Sequence, residues 1–431
     1  MIILKRYDII LIWSKIYFFG KDCRVCFEYA VKIKMTFDFS DKVKNLKPSA
    51  IREIFKSLTD PSVISFAAGN PSPLSFPVEK LRLLSDEIFE TEPSKALQYG
   101  ITEGFLPLRN QVAERLKSKF SIGKDFDEVI ITSGGQQGID LACKVLCNEG
   151  DTVICENPSF IGALNAFRSY GVNLKGIDAG LDGINPEELE KILKEDKRVK
   201  LIYLIPTFQN PSGITTSLEK RKAILEIAKK YGVVILEDNP YGELRFAGSD
   251  VPTIKSMDDC GTVLYCGSFS KILSSGMRVG FVCGHSELIK KIVVVKQTND
   301  VHTNQFFQML CSKFIDRYGL DEHIKSINAL YGRNCALMLS SLDENIPSSV
   351  SYTRPEGGLF LWVTLPKSTD MDDFIRRTVD AKIAVVPGST FMPDASVKSS
   401  SFRLNYSMPT EEEIKKGISI LARVIKDAGI N

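Results

Sequence analysis

Between residues 128 and 284 the chain alternates short, nearly unbroken apolar runs with longer stretches in which apolar residues recur every three or four positions. The runs EVIITS (128–133), DTVICE (151–156), VKLIYLIP (199–206), GVVILED (232–238), TVLYCGS (262–268) and RVGFVCG (278–284) predict strands. Near-continuous hydrophobicity, rather than polar alternation, is what a parallel sheet covered on both faces requires. Helices are expected between the runs at 135–148, 160–170, 186–195 and 217–231. The last opens with Thr215, Thr216 and Ser217, whose hydroxyls can accept from the free N–H groups of a first turn. Strand–helix alternation of this kind predicts an α/β fold with a parallel sheet.

From about residue 305 the rhythm changes. Long helices are expected at 305–318 and 321–344, short strands near 349–353, 359–364 and 402–406, and a final helix at 411–428. The pattern predicts a large domain over 96–304 and a smaller α+β domain over 305–431. Residues 35–95 hold the short helix SAIREIFKSL and many prolines, and are expected to pack on both.

Residues 1–34 carry seven basic and three acidic residues, a net of +4, against +2 for the whole chain. Their apolar stretch IILIW is soon interrupted by Lys15, far short of the roughly 20 residues a membrane span needs. The preferred reading is a non-native extension with Met35 as the working start, and a targeting segment is the alternative.

Across 431 residues, 44% hydrophobic and 25% charged are ordinary values for a globular protein and exclude wholesale disorder. Lys plus Arg number 55 and Asp plus Glu 53, so the basic footprint of a nucleic-acid binder is missing. No nucleic-acid or membrane partner is expected. Most of the ten cysteines lie in apolar runs such as LACKVLC, a usage that suits a reducing, cytoplasmic compartment. Cys23-x-x-Cys26 has no second pair, and the three histidines are not spaced as ligands, so no metal is expected.

Ligands of open α/β sheets bind beyond the carboxyl ends of the strands. Those ends carry Gly134-Gly135-Gln136-Gln137, Asn157-Pro158-Ser159-Phe160, Thr207-Phe208-Gln209-Asn210-Pro211, Asp238-Asn239-Pro240-Tyr241 and Ser268-Phe269-Ser270-Lys271. Singly, each has an ordinary explanation as a turn, cap or surface residue. Together they put glycines, an amide, a carboxylate, a phenol, hydroxyls and a lysine on one rim. A glycine-preceded helix start, with Ser268, Ser270 and Arg278, suits a phosphate dianion. A lysine beside it can form a Schiff base with a carbonyl cofactor, and a carboxylate can keep a pyridine nitrogen protonated.

The same residues carry a family resemblance. From about residue 45 the chain resembles fold-type I pyridoxal-phosphate aminotransferases of class I/II, in the branch of the 2-aminoadipate and kynurenine enzymes. The motifs are ISFAAGNP (64–71), LQYGITEGFLPLR (97–109), ITSGGQQGIDL (131–141), PTFQNPSG (206–213), LEDNPYGELRF (236–246), GSFSKILSSGMRVGF (267–281), PEGGLFLWV (355–363) and SFRLNYS (401–407). The resemblance implies a large domain with a mostly parallel seven-stranded sheet, a smaller α+β domain, pyridoxal 5'-phosphate as cofactor, and a homodimer with shared active sites. It implies transfer of an amino group from an α-amino acid (aromatic, 2-aminoadipate or similar) to a 2-oxo acid such as 2-oxoglutarate.

Residue by residue, it makes Lys271 the Schiff-base lysine and proton shuttle. Asp238 is the partner of the ring nitrogen, and Asn210 and Tyr241 are partners of the ring oxygen. Gly135, Gln136, Ser268, Ser270 and Arg278 fall to the phosphate. Phe160 takes the stacking position usually held by Tyr or Trp. Arg403 would clamp the substrate α-carboxylate with Gly69 nearby, as a planar guanidinium favours. Tyr99 would reach the partner's cofactor phosphate. Arg52, in SAIREIF, reads either as a contact to a distal substrate carboxylate or as an exposed helical arginine. A Ser–Lys acyl hydrolase is disfavoured, because S-x-x-K at 268–271 has no S-D-N or K-T-G downstream. A DNA-binding regulator is disfavoured, because the roughly forty residues before the resemblance show no helix-turn-helix pattern. A lyase or decarboxylase on the same fold stays open at this point.

Overall fold

The computed structural model describes residues 7–19, 24–35, 37–44, 60 and 62–430. Arg52 and the helix expected at SAIREIFKSL lie outside the described residues. The chain divides into two compact units, 1–46 and 47–431. In the first, β1 (Tyr7–Phe19) and β2 (Arg24–Met35) form an antiparallel hairpin.

The second unit is built on an eight-stranded sheet. In chain order its strands are β3 (Asp127–Thr132), β4 (Thr152–Asn157), β5 (Asn173–Gly180), β6 (Gly183–Ile184), β7 (Val199–Leu204), β8 (Val234–Asp238), β9 (Val263–Ser268) and β10 (Gly280–His285). They lie in the spatial order β3-β10-β9-β8-β7-β4-β5-β6. The β9–β8, β8–β7, β7–β4 and β4–β5 pairings are parallel, and β10 and β6 run against the rest. The carboxyl ends of β3, β4, β7, β8 and β9 therefore share one rim.

The count corrects the expected seven strands to eight, the eighth being the two-residue β6 that turns back on β5. Six strands announce themselves as apolar runs, but β5 reads NLKGIDAG and buries only Ile177. It lies near the sheet edge, paired on its outer side only with the two-residue β6, so the double-sided burial that makes a parallel strand legible is absent there.

Burial of both faces is visible along β7. Leu201 and Tyr203 join a layer with Ile139 and Ala142 of α1 (Gly135–Leu146) and Leu164 and Phe167 of α2 (Ile161–Ser169). Ile202 and Leu204 join the opposite layer with Leu189 of α3 (Pro186–Glu195) and Ile224 of α4 (Leu218–Tyr231). The capping chemistry read before α4 narrows to Ser217, whose Oγ accepts from the Lys220 N–H, and Gly232 closes the helix at φ +66°.

After α5 (Gln305–Tyr318) and α6 (Asp321–Asn345), a four-stranded antiparallel sheet follows. Its strands are β11 (Ser351–Tyr352), β12 (Phe360–Thr364), β13 (Val386–Pro387) and β14 (Ser401–Asn405), in the order β11-β12-β14-β13. The final helix α7 (Glu411–Asp427) opens with a Thr410–Glu413 capping box. The early segment 64–70 crosses to this sheet: Ile64–Ser65 pairs in parallel with Ile383–Ala384, and the Asn405 N–H donates to the Phe66 carbonyl at 2.8 Å. That crossing brings Gly69 beside Arg403. Among the described residues, no helix is long and apolar enough to cross a membrane.

Candidate active site

The rim residues assemble around two cationic centres. The first lies at the start of α1. Gly134 adopts φ +80°, and a Cβ there would stand 2.4 Å from Arg278 Nη2. Only glycine lets the guanidinium lie directly against this peptide. Arg278 itself sits at φ +53°, its Nη1 3.5 Å from Ser270 Oγ. Ser268 Oγ donates to Ser270 Oγ at 2.8 Å. The first-turn N–H groups of Gly135 and Gln136 have no carbonyl partner within the helix. The Gln136 side chain is tied to the Gly162 carbonyl at 2.9 Å, which leaves its backbone N–H to face the cup. Arg278 makes no ion pair among the described residues. Two helix N–H groups, two hydroxyls and a guanidinium without a carboxylate form an anion site, and they fit a phosphate monoester.

The second centre lies between the two sheets. Lys271, three residues past the end of β9, donates from Nζ to the Gly69 carbonyl at 2.7 Å. Burial, reinforced by Arg403 and Arg278, pulls its ammonium down to about 8. Arg403 in β14 is 2% exposed. Its Nη1 donates to Asn210 Oδ1 and its Nη2 to the Ala67 carbonyl, both at 2.8 Å. Its Nε is buried with no partner. The guanidinium is held between aromatic faces, 4.2 Å from the Phe360 ring centroid and 5.0 Å from that of Phe391. Burial pulls it down to about 10.

Asn210 connects this centre to the rest: its Nδ2 donates to Tyr241 Oη at 3.3 Å. The loop carrying Asn210 is shaped by buried Arg221, which donates to the Pro206 and Thr216 carbonyls and to Thr207 Oγ1. Gln209 fixes it further, bonding the Pro158 carbonyl and accepting from Ser212.

Asp238 closes β8 and is buried, its Oδ1 4.0 Å from a Cβ position on Gly135. Tyr203 Oη donates to its Oδ2 at 2.8 Å. Burial pushes this carboxyl up to about 7, with the Tyr203 bond opposing the shift. Beneath it, burial pushes Glu156 up to about 8, although its Oε2 accepts from the Ile205 N–H. A carboxylate held in this apolar floor is stabilised by any cation set against it, and a protonated pyridine nitrogen is such a cation. With the phosphate cup, the amide–phenol pair and the lysine, the set fits pyridoxal phosphate.

Gly69, Gly135, Gln136, Asn210, Asp238, Tyr241, Ser268, Ser270, Lys271, Arg278 and Arg403 thus join one connected site. Phe160 sits at the start of α2, its ring 2.4 Å from a Cβ position on Gly162. Tyr99 does not join the site within this chain. It is 80% exposed and meets His302 edge-on with ring centroids 5.7 Å apart. Sequence reading missed Tyr203, Phe360 and Phe391, which look like ordinary core residues of two strands and a short 3-10 helix. Only their partners, far away in sequence, mark them.

Comparison with known proteins agrees with this geometry. The family profile of aminotransferases of class I and II matches residues 61–421. Aromatic-amino-acid aminotransferase 1 of Thermococcus litoralis is 41% identical, covering 90% of this chain and 94% of its own. The 2-aminoadipate transaminase of Thermus thermophilus is 38% identical over 90% of this chain and 96% of its own. The crystal structure of Pyrococcus horikoshii kynurenine aminotransferase in complex with PMP superposes with a TM-score of 0.87, at 40% identity over 90% of this chain and 97% of that one. The chain belongs to the class I and II aminotransferases, and its activity is pyridoxal-phosphate-dependent transfer of an amino group from an amino acid.

Proposed function

We propose that the donors are aromatic, 2-aminoadipate or similar α-amino acids, that 2-oxoglutarate serves as acceptor, and that the residues gathered above divide the work between them. The observation that carries this reading is the convergence of two buried cations on Gly69. Lys271 Nζ binds its carbonyl, and Arg403 Nη2 lies 3.8 Å from its Cβ position. Among the described residues neither has a carboxylate partner. A buried guanidinium without a counter-ion is costly unless a ligand supplies one, and an α-amino acid brings a carboxylate together with an amine.

Pyridoxal phosphate, when bound, supplies a carbonyl to receive the amino group and a ring that withdraws electron density from the substrate Cα. The chain's residues do the rest. Gly135, Gln136, Ser268, Ser270 and Arg278 would hold the phosphate, Phe160 would cover the ring, Asn210 and Tyr241 would bind its oxygen, and Asp238 would keep a proton on its nitrogen. Lys271 Nζ would supply the amine that anchors the cofactor's carbonyl carbon and would then carry the proton to and from the substrate Cα. Phe360 and Phe391 pack on the Arg403 guanidinium, and Tyr241 meets Phe360 edge-on, so aromatic faces keep water from the clamp. Aromatic donors are named for the Thermococcus relative.

Tyr99, exposed beside Leu97 and Ile101 (74% and 56% exposed), supports a homodimer in which this face is covered and Tyr99 reaches the partner's phosphate site. Free thiols buried in the core support a cytoplasmic setting.

The carboxylate clamp is tested by Arg403→Lys. Charge-assisted hydrogen bonds are worth about 1.5–3 kcal/mol, so KM for every donor is expected to rise roughly 10- to 150-fold. Steady-state kinetics with phenylalanine and 2-aminoadipate checks it, and an unchanged KM for both would reject the assignment.

Lys271 gives a pH prediction. Only the neutral amine is a nucleophile, and the neutral fraction grows about tenfold per pH unit below the folded pKa. With that pKa lowered to about 8, covalent uptake of pyridoxal phosphate by the cofactor-free protein should accelerate from pH 6 to about 8 and then level. Stopped-flow absorbance reads this directly. A rate still climbing at pH 10 would mean that the amine keeps its ordinary basicity and that this environment does not act on it.

A further inference from the structure

We propose that Arg168 is a positioning residue for substrate binding, holding segment 391–393 so that Phe391 stays packed on Arg403. The inference rests on reading Arg403 as the carboxylate clamp.

Arg168 lies in the last turn of α2, in the large-sheet layer and on no strand end. Its Nη2 donates to two successive carbonyls of a segment more than two hundred residues away, Met392 at 3.0 Å and Pro393 at 2.8 Å. Its Nη1 bonds Asn165 Oδ1 within the same helix. It makes no ion pair among the described residues, so its polar contacts go to an amide and two neutral carbonyls. The carbonyl just before these two, that of Phe391, accepts from the Ser159 N–H at 2.8 Å. Three consecutive carbonyls are therefore anchored to the turn and helix that follow β4. The edge strand makes room as well: a Cβ on Gly176 would stand 2.9 Å from Pro393 Cγ.

On its other side the segment supports the clamp. The Phe391 ring is fully buried, lies 5.0 Å from the Arg403 guanidinium and meets Trp362 edge-on at 5.8 Å. Val386, in the strand leading into this segment, pairs with Arg403 itself. Phe160, which follows Ser159, is the ring expected over the cofactor. The turn at 159–160 therefore holds both that ring and the peptide behind the clamp. Without Arg168, the Ser159 N–H is the one hydrogen bond left that ties the segment to the large-sheet layer, and Phe391 can shift away from the guanidinium. The guanidinium, still tied to Asn210 and the Ala67 carbonyl but with only Phe360 against its face, then tilts part of the time into orientations that grip a carboxylate less well. Apparent affinity falls by the fraction of molecules left competent.

The experiment uses the cofactor-loaded enzyme. Arg168→Met keeps the aliphatic stem and removes the donors. KM for phenylalanine, 2-aminoadipate and 2-oxoglutarate should all rise by a common factor of about 5–20, with kcat within threefold and the affinity for pyridoxal phosphate within twofold. Binding of the unreactive carboxylate 3-phenylpropionate, measured by calorimetry, should weaken by the same factor. Phe391→Leu should reproduce the effect, and Arg168→Met/Phe391→Leu should add little to either alone, because both act on one element. Arg168→Lys, retaining one donor, should recover part of the loss. Lowered thermal stability with KM within twofold of wild type would make Arg168 merely structural and overturn the proposal, as would fully additive single effects. If Arg168→Met does not fold, Arg168→Lys and Phe391→Leu carry the same comparison. Failure of the clamp reading shows separately, as an unchanged KM in Arg403→Lys.

Discussion

Replacement of Lys271 by alanine is expected to lower transamination by about 10⁴-fold or more while leaving the fold intact. Two losses combine at one atom: the nucleophile that anchors the cofactor and the base that moves the substrate Cα proton. No other amine replaces it, because the nearest cations, Arg403 and Arg278, are guanidiniums rather than amines and are held in place by Asn210, the Ala67 carbonyl and the peptide of Gly134. Stability should not suffer. Burial works against the Lys271 ammonium, as its lowered pKa of about 8 shows, and its one hydrogen bond is to the Gly69 carbonyl. By linkage, the folded state releases this proton more readily than the unfolded chain. Below about pH 8 the native protein bears the cost of a buried charge that alanine removes. The melting temperature of cofactor-free Lys271→Ala at pH 7 should therefore equal or exceed that of the wild type. Turnover with each candidate donor and a thermal melt check both halves. Turnover within tenfold of wild type would remove Lys271 from the chemistry.

How much of this was legible beforehand depends on the kind of contact. Lys271, Asp238, Asn210 and Ser268 could be found because each follows an apolar run that sequence marks as a strand, and parallel topology sends all those ends to one rim. The glycines at 134 and 135 were legible for the same reason, since a helix must start there. β5 was not, because a strand beside the sheet edge need not be apolar on both sides. Tyr203 was hidden by its own burial: in VKLIYLIP it reads as one more core residue, and only the neighbouring strand's Asp238 gives its hydroxyl a task. Arg168 and Phe391 were hidden by distance along the chain, since neither has a local partner that would single it out. Arg403 was found through the resemblance alone. Nothing local to SFRLNYS announces that its guanidinium is buried between two phenylalanines.

Asp238→Asn should produce the second largest loss, about 10³-fold in kcat/KM. The substitution keeps the shape at the end of β8 and removes one charge. A protein dipole or charge fixed in a buried site is worth about 3–4 kcal/mol when charge develops against it, and Asp238 is walled by Tyr203, Cys266 and Gly135. In the cofactor-free protein burial pushes its carboxyl up to about 7, against the lowering effect of the Tyr203 hydrogen bond. A protonated ring nitrogen would return it to the charged form, so each partner holds the other ionised. Asparagine cannot do this, and the nitrogen would lose its proton at neutral pH. The sign of the accompanying pH effect follows. Below about pH 7 the free carboxyl is protonated, so pyridoxal phosphate should bind the wild type with a linked proton release from Asp238 that Asp238→Asn lacks. Calorimetry at pH 6 in two buffers of different ionisation enthalpy reads that difference. Tyr203→Phe tests the same pair more gently. Loss of a donor to the charged form should raise the Asp238 pKa and lower activity about 5- to 20-fold, in line with a charge-assisted hydrogen bond. An Asp238→Asn enzyme within tenfold of wild type, with unchanged proton release, would show that the carboxylate does not govern the ring nitrogen.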